Sequence, residues 1–437
     1  MTRDDASLAP GPLAAYCSYA IPLTALPAVV MNLVPPFYSE RFGLPLATIG
    51  STFLALRLFD AVTDPAMGWL IDRRPFRRQH KPWIVGTLPL LLLGLGLLFF
   101  PVTSSGGAVY LLAAGLVVYA AYTMGSVTHQ AWGGALARTP EALSRLFGFR
   151  EIAVIIGIMG GFVAPAIAEL LGYSGVTSKV TAASLFIALS LFVFTTLAAR
   201  LAPDGAARER SAPANLSAIG NLIRRREFVL IAVAILAQNF GIVGFTVVSY
   251  FLAEHVFGEA DRYALSLSLH FVTAGIGMAV WMPLARRIGE ARTLAIGAAY
   301  VTVVMLSLPL WVEHGTFLGF MALIGFAFGG PPFLMRAMIG SMAHRHEART
   351  GQSVLGTGYA AANFFDKLGS GVAAGIVLPL VARLGFNPEL DVTSEGLSAL
   401  VSVATVGPGA GFLVLTTMAI LLRRVERGEA SERRRTP

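Results

Sequence analysis

The sequence predicts an all-α membrane protein of twelve transmembrane helices in two six-helix halves, with both termini in the cytoplasm. Three observations predict it. Of 437 residues, 55% are hydrophobic and only 13% charged, where a soluble domain carries about 25% charged residues. Apolar runs of about 20 residues, the length that crosses a bilayer as helix, recur along the whole chain. Lys and Arg segregate between alternate loops. One side holds Arg3, Arg73, Arg74, Arg77, Arg78, Lys81, Arg138, Arg145, the arginines of 200–226, Arg286, Arg287, Arg292, Arg345, Arg349 and the C-terminal arginines; the other holds Arg41, Lys179, Arg262 and Arg383. Cytoplasmic loops carry the excess, which places both termini inside.

The spans run roughly over 12–38, 44–71, 82–102, 108–136, 147–171 and 178–201 in the first half. The second half runs roughly over 227–256, 263–287, 292–312, 316–343, 352–384 and 397–422. The halves are 1–201 and 227–424, joined by a polar cytoplasmic linker, 202–226, with a basic tail at 425–437. The linker holds Pro203-Asp204-Gly205 and Arg224-Arg225-Arg226. A weak repeat relates the halves: Gly68-Trp69-Leu70-Ile71-Asp72-Arg73-Arg74 and Pro283-Leu284-Ala285-Arg286-Arg287-Ile288-Gly289 are each a basic turn after a half's second span. Paired six-helix halves around a midplane site are a transporter architecture.

Composition also excludes. The net charge of +8 follows from the loop bias, and no basic–aromatic patch points to nucleic acid. Cys17 is the single cysteine, which excludes an internal disulfide and a multi-cysteine metal site. No cleavable signal peptide is expected, because the first apolar segment is too long for one and lacks a cleavage site.

The chemistry concentrates in span 2. Asp60 and Asp64 lie four residues apart and share a helix face. Each carboxylate costs about 2.5–3.5 kcal/mol at a helix centre. With Thr63 beside them they form a seat for Na⁺ or a proton, because two close carboxylates do not both ionise cheaply at low dielectric. The alternative is a structural salt bridge with Arg57 or Lys367. In span 11, Lys367 requires an acid or a wet cavity; Asp60, Asp64 and its neighbour Asp366 are the available acids. Span 10 carries Gly329-Gly330-Pro331-Pro332 ahead of Arg336, a kinked helix beside a cation. Span 4 is unusually polar. It offers Thr123 as a cation ligand and Ser126, His129 and Trp132 as solute contacts, with core hydrogen bonding as the alternative for His129. Gln238, Asn239 and His270 are weaker candidates explained equally well by interhelical hydrogen bonds. Asp72, Arg73 and Arg74 form a gating charge cluster, with loop anchoring as the alternative.

The stretch from Arg57 to Trp69, the following His80-Lys81-Pro82-Trp83-Ile84, Tyr122-Thr123, and the run from Lys367 to Ser370 ahead of Gly385-Phe386-Asn387-Pro388 resemble the glycoside–pentoside–hexuronide:cation symporter family of the major facilitator superfamily. The resemblance implies the major facilitator fold and Na⁺- or H⁺-coupled symport by alternating access. It implies that Asp60, Thr63, Asp64 and Thr123 bind the cation. Asp60 and Asp64 would be the metal ligands if the ion is Na⁺. It implies solute-facing roles for Arg150 and Lys367, and we expect Arg336 and Asn363 to join Ser126, His129 and Trp132 there. The chain also departs from the family. Span 1 has no acid between Tyr16 and Pro36, and Ser126 or Thr128 stands where galactoside carriers have an acid in span 4.

These readings converge on a bacterial inner-membrane symporter of an organic, sugar- or glycoside-like solute. The coupling ion is Na⁺ or H⁺, with no other cofactor. The expected partners are the solute and the lipid bilayer, and one chain of twelve spans is enough to act as a monomer. The alternative within transport is a carrier of lysophospholipids or other amphipaths. An intramembrane enzyme or a receptor is the alternative of another class. Against these, no HExxH motif or nucleophile–base pair is present, and no extramembrane segment is long enough to signal.

Overall fold

The computed structural model describes residues 9–71, 80–101, 107–136, 140–204, 225–350, 355–388 and 392–435. The helices in chain order are α1 (Pro10–Ser18), α2 (Ala20–Phe42), α3 (Leu46–Ile71), α4 (His80–Phe99), α5 (Ala108–Leu136), α6 (Pro140–Leu170) and α7 (Val176–Leu201). They continue with α8 (Arg226–Phe251), α9 (Tyr263–Ile288), α10 (Glu290–Leu306), α11 (Leu308–His314), α12 (Phe317–Phe328), α13 (Pro331–Thr350), α14 (Leu355–Arg383) and α15 (Ser394–Arg435). No strand occurs among the described residues. Eleven of their helical segments are long and apolar enough to cross a membrane, or twelve if the pair α10–α11 counts as one bent span. The chain is an integral membrane protein.

Prolines explain where helices break. Pro22 has no N–H to return to Ser18, and α1 gives way to α2 there, at Tyr19. Pro309 likewise has no N–H to return to Met305. The expected ninth span is therefore two helices meeting at a 47° bend at Ser307. At Gly329-Gly330-Pro331-Pro332, where a kink is expected, the helix is interrupted for two residues between α12 and α13, which still run as one span, Phe317–Met342. Gly329 is required there, because a Cβ would lie 2.2 Å from the Ala274 carbonyl oxygen of α9. At the C-terminus, α15 runs on as helix to Arg435, through much of the stretch read as a tail.

Two compact units divide the chain: Met1–Glu209 with Ala260–Ser268, and Arg210–Glu259 with Leu269–Pro437. In the first unit α2 packs on α6 and α7, α3 on α5, and α4 on α5 and α7. The opening turns of α9 are held in this unit by a buried ion pair. The Glu169 carboxylate accepts the backbone N–H groups of Ala264 (2.8 Å) and Leu265 (3.0 Å), where the positive end of a helix favours an anion. Lys179 Nζ lies 3.5 Å from Glu169 Oε1 and donates to the carbonyls of Ala260 (2.7 Å) and Ser174. Lys179, counted from sequence as a loop cation, is fully buried. Tyr263 completes the junction, its hydroxyl donating to Asn32 Oδ1 at 3.1 Å.

The second unit repeats the device with another glutamate. The Glu259 carboxylate accepts the backbone N–H groups of Phe317 (3.1 Å) and Leu318 (3.3 Å) at the start of α12. Here α8 packs on α14 and α15, and α10 packs on α15, α12 and α13. Glu227 pairs with Arg345. His270 turns Nδ1 toward the Met321 carbonyl oxygen at 3.3 Å, and Asn239 donates to the Ile235 carbonyl at 3.0 Å; both are packing contacts.

Candidate functional site

The site in the first unit is built from facing stripes on α3 and α5. On α5, Gly115, Tyr119 and Thr123 recur at i, i+4 and i+8 and share a face. Gly115 lets α3 approach, because a Cβ there would sit 2.5 Å from Leu56 Cδ1. On α3, Arg57, Asp60 and Asp64 recur at i, i+3 and i+7. The two stripes meet at Asp60, which is fully buried.

Both Asp60 oxygens are engaged. The Thr123 hydroxyl donates to Oδ1 at 2.7 Å. Arg57 Nη1 lies 3.6 Å from Oδ2, and its guanidinium carbon stands 5.3 Å from the centre of the Tyr119 ring. The Arg57 partner weighed from sequence is therefore in contact. A buried carboxylate is tolerated here because a guanidinium and a hydroxyl face its charge, and the Tyr119 ring face in turn supports the guanidinium. Asp64 is half-buried one turn on. Thr63 is also half-buried, and its hydroxyl donates to the Asp60 backbone carbonyl at 3.2 Å. Thr123 and Asp60 are in contact, and Thr63 and Asp64 follow within one turn on α3; all four carry oxygen donors, the chemistry of a hard cation or a proton. Tyr119 was not singled out from sequence; its position one turn before Thr123 was the available signal.

The solute candidates separate. His129 and Trp132 are fully buried and pack α5 against α1. His129 Nε2 is 2.9 Å from the Tyr16 carbonyl oxygen and its ring centre 4.3 Å from that of Tyr16. The Tyr16 hydroxyl returns a bond to the His129 carbonyl at 2.9 Å. Trp132 Nε1 donates to the Pro203 carbonyl at 3.0 Å. Both side chains hold helices together, the core role that sequence offered as the alternative for His129. Ser126 is half-buried and donates to the Thr123 carbonyl at 3.3 Å. Arg150 of α6 lies 3.2 Å from the exposed Glu151. In the second unit, Asn363 and Lys367 are half-buried one turn apart on α14, and the Ser370 hydroxyl donates to the Lys367 carbonyl at 2.8 Å. Arg336 of α13 is exposed. Asp72, Arg73 and Arg74 lie outside the described residues.

Comparison with known proteins gives a consistent picture. The family described as MFS/sugar transport protein matches residues 15–425. The chain is 24% identical over 396 residues to "Uncharacterized symporter YjmB" of Bacillus subtilis, covering 85% of this chain and 83% of the relative. It is 22% identical over 402 residues to the "Glucuronide carrier protein homolog" of Escherichia coli, covering 88% and 86%. Among solved structures, that of a D-xylose-proton symporter superposes with a TM-score of 0.66 at 14% identity, covering 94% of this chain and 95% of that one.

Proposed function

The chain belongs to the MFS/sugar transport protein family, and from that premise we propose that it is a secondary-active symporter. Family and fold are those of transporters, not enzymes. It carries a small organic solute, sugar- or glycoside-like, across a bacterial inner membrane by alternating access, with Na⁺ or H⁺ as the coupling ion.

The observation that carries the coupling assignment is the buried Asp60, engaged by Thr123 on one oxygen and by Arg57 on the other. Coupling follows from exchange of partners. A cation reaching Asp60 neutralises the carboxylate and competes with Arg57 for it. Thr123 holds the carboxylate in place throughout, and Asp64 and Thr63 supply further oxygens. Release of Arg57 then changes the charge presented to the solute. Ser126, Arg150, Asn363, Lys367 and Arg336 are assigned to solute binding, with Lys367 responding to occupancy of the cation site.

Purified protein in proteoliposomes tests this with a panel of glycosides, pentosides, hexuronates and lysophospholipids, under an imposed Na⁺ or proton gradient. Accumulation of one of the sugars, lost in Asp60→Asn, is the expected result. Accumulation of lysophospholipids alone would establish the amphipath alternative. Equal accumulation by wild type and Asp60→Asn would refute the coupling role.

A further inference from the structure

Where α10 meets α15, at their arginine-rich ends, a groove of about 540 Å³ opens on the second unit. Its lining follows helical periodicity. On α10 it takes Arg292, Ala295, Ile296 and Ala299, at i, i+3, i+4 and i+7; on α15 it takes Thr416, Ile420 and Arg423, at i, i+4 and i+7. The helices run antiparallel, and the Thr302 and Thr416 hydroxyls, 3.1 Å apart, fix their register. Two turns back from Thr302 is Ala295, and two turns on from Thr416 is Arg423. Arg292 and Arg423 thus share one end of the groove, and the apolar side chains run about 10 Å from there toward Thr416.

We propose that this groove binds an anionic phospholipid of the cytoplasmic leaflet. The loop charges assign this end of both helices to the cytoplasm. Arg292 lies in the first turn of α10, at headgroup depth, and is exposed. Each guanidinium carries five N–H donors in a fork that matches a phosphate. No carboxylate is among the described lining residues. Beyond the guanidinium pair, Ile296, Ala299 and Ile420 offer an acyl chain an apolar track. A charged head next to an apolar channel, opening sideways from a span, fits a lipid better than a soluble anion. Basic pockets between transmembrane helices on the cytoplasmic side are a recurring site for such headgroups.

The test uses the full chain in neutral detergent, with phosphatidylglycerol or phosphatidylcholine added, and native mass spectrometry to count retained lipid. Wild type retains one phosphatidylglycerol in preference to phosphatidylcholine. The expected loss of preference is about fivefold for each guanidinium removed, so Arg292→Gln and Arg423→Gln each weaken it and together abolish it. Arg286→Gln/Arg287→Gln, in the last turn of α9 and outside the lining, leaves it unchanged. Ala299→Trp, which fills the apolar track and keeps both charges, also loses the lipid. The proposal is overturned if Arg292→Gln/Arg423→Gln retains phosphatidylglycerol as wild type does, or if the Arg286/Arg287 control loses as much. It is equally overturned if inorganic phosphate alone displaces the lipid at equal concentration, since the groove would then bind an anion without its chains.

Discussion

Asp60→Asn isolates the charge of the α3–α5 centre. The amide keeps the shape of the carboxylate and an oxygen for the Thr123 hydroxyl, so the main loss is the partner of Arg57. At 3.6 Å the Coulomb attraction is about 5 kcal/mol at an effective dielectric constant near 20. Removing one member of a buried pair typically costs about 3–5 kcal/mol. The Tyr119 face at 5.3 Å still stabilises the guanidinium by about 1–2 kcal/mol. The expected net loss is about 2–4 kcal/mol for Asp60→Asn. Arg57→Gln, which strands a buried carboxylate, costs at least as much. Arg57→Gln/Asp60→Asn removes both charges and costs less than the sum of the singles by about 2 kcal/mol or more. The assay is the apparent Tm of purified protein in detergent, followed by tryptophan fluorescence, across wild type, both singles and the double. Additive losses would refute the reasoning, because they would mean that Arg57 and Asp60 do not act on each other.

Three further outcomes follow from the same geometry. Thr123→Val removes the donor to Asp60 and lowers stability by about 1–3 kcal/mol, whereas Thr123→Ser retains most of it; thermal scans of both variants check this. Lys179→Met strands the buried Glu169, and Glu169→Gln strands the buried Lys179. Each lowers folded yield and Tm more than Lys179→Met/Glu169→Gln does, read by size-exclusion recovery and thermal scans. Gly329→Ala drives a Cβ to 2.2 Å from the Ala274 carbonyl oxygen, a backbone clash expected to cost about 2 kcal/mol or more. Gly134→Ala, with nothing within 4 Å, is neutral or slightly stabilising in the same scan.

The fold was legible because a bilayer imposes a crude rule, about 20 apolar residues per crossing, that composition alone obeys. Asp60 was legible for the converse reason: a carboxylate at that depth needs a compensating partner, and Arg57 and Thr123 supply it. Hydropathy does not report direction. His129 and Trp132 make span 4 polar, yet both turn inward to α1 and to the segment after α7, and sequence could not separate that from facing a solute. Lys179 and Glu169 were hidden by their setting. Charges beside loops read as topological anchors, and nothing local shows that a carboxylate ten residues upstream will bury the lysine. The breaks at Tyr19 and Ser307 also escaped, because prolines are common inside membrane helices and most leave the helix continuous, as Pro27, Pro35 and Pro36 do in α2.

If Asp60 receives the coupling cation, its arrival moves charge, and that movement is directly measurable. Proteoliposomes are adsorbed on a solid-supported membrane and exposed to a Na⁺ jump, or to a proton jump, at constant ionic strength. A saturable transient for one of the two cations in wild type, lost in Asp60→Asn, is the expected result. A transient of the same size and concentration dependence in Asp60→Asn would contradict it.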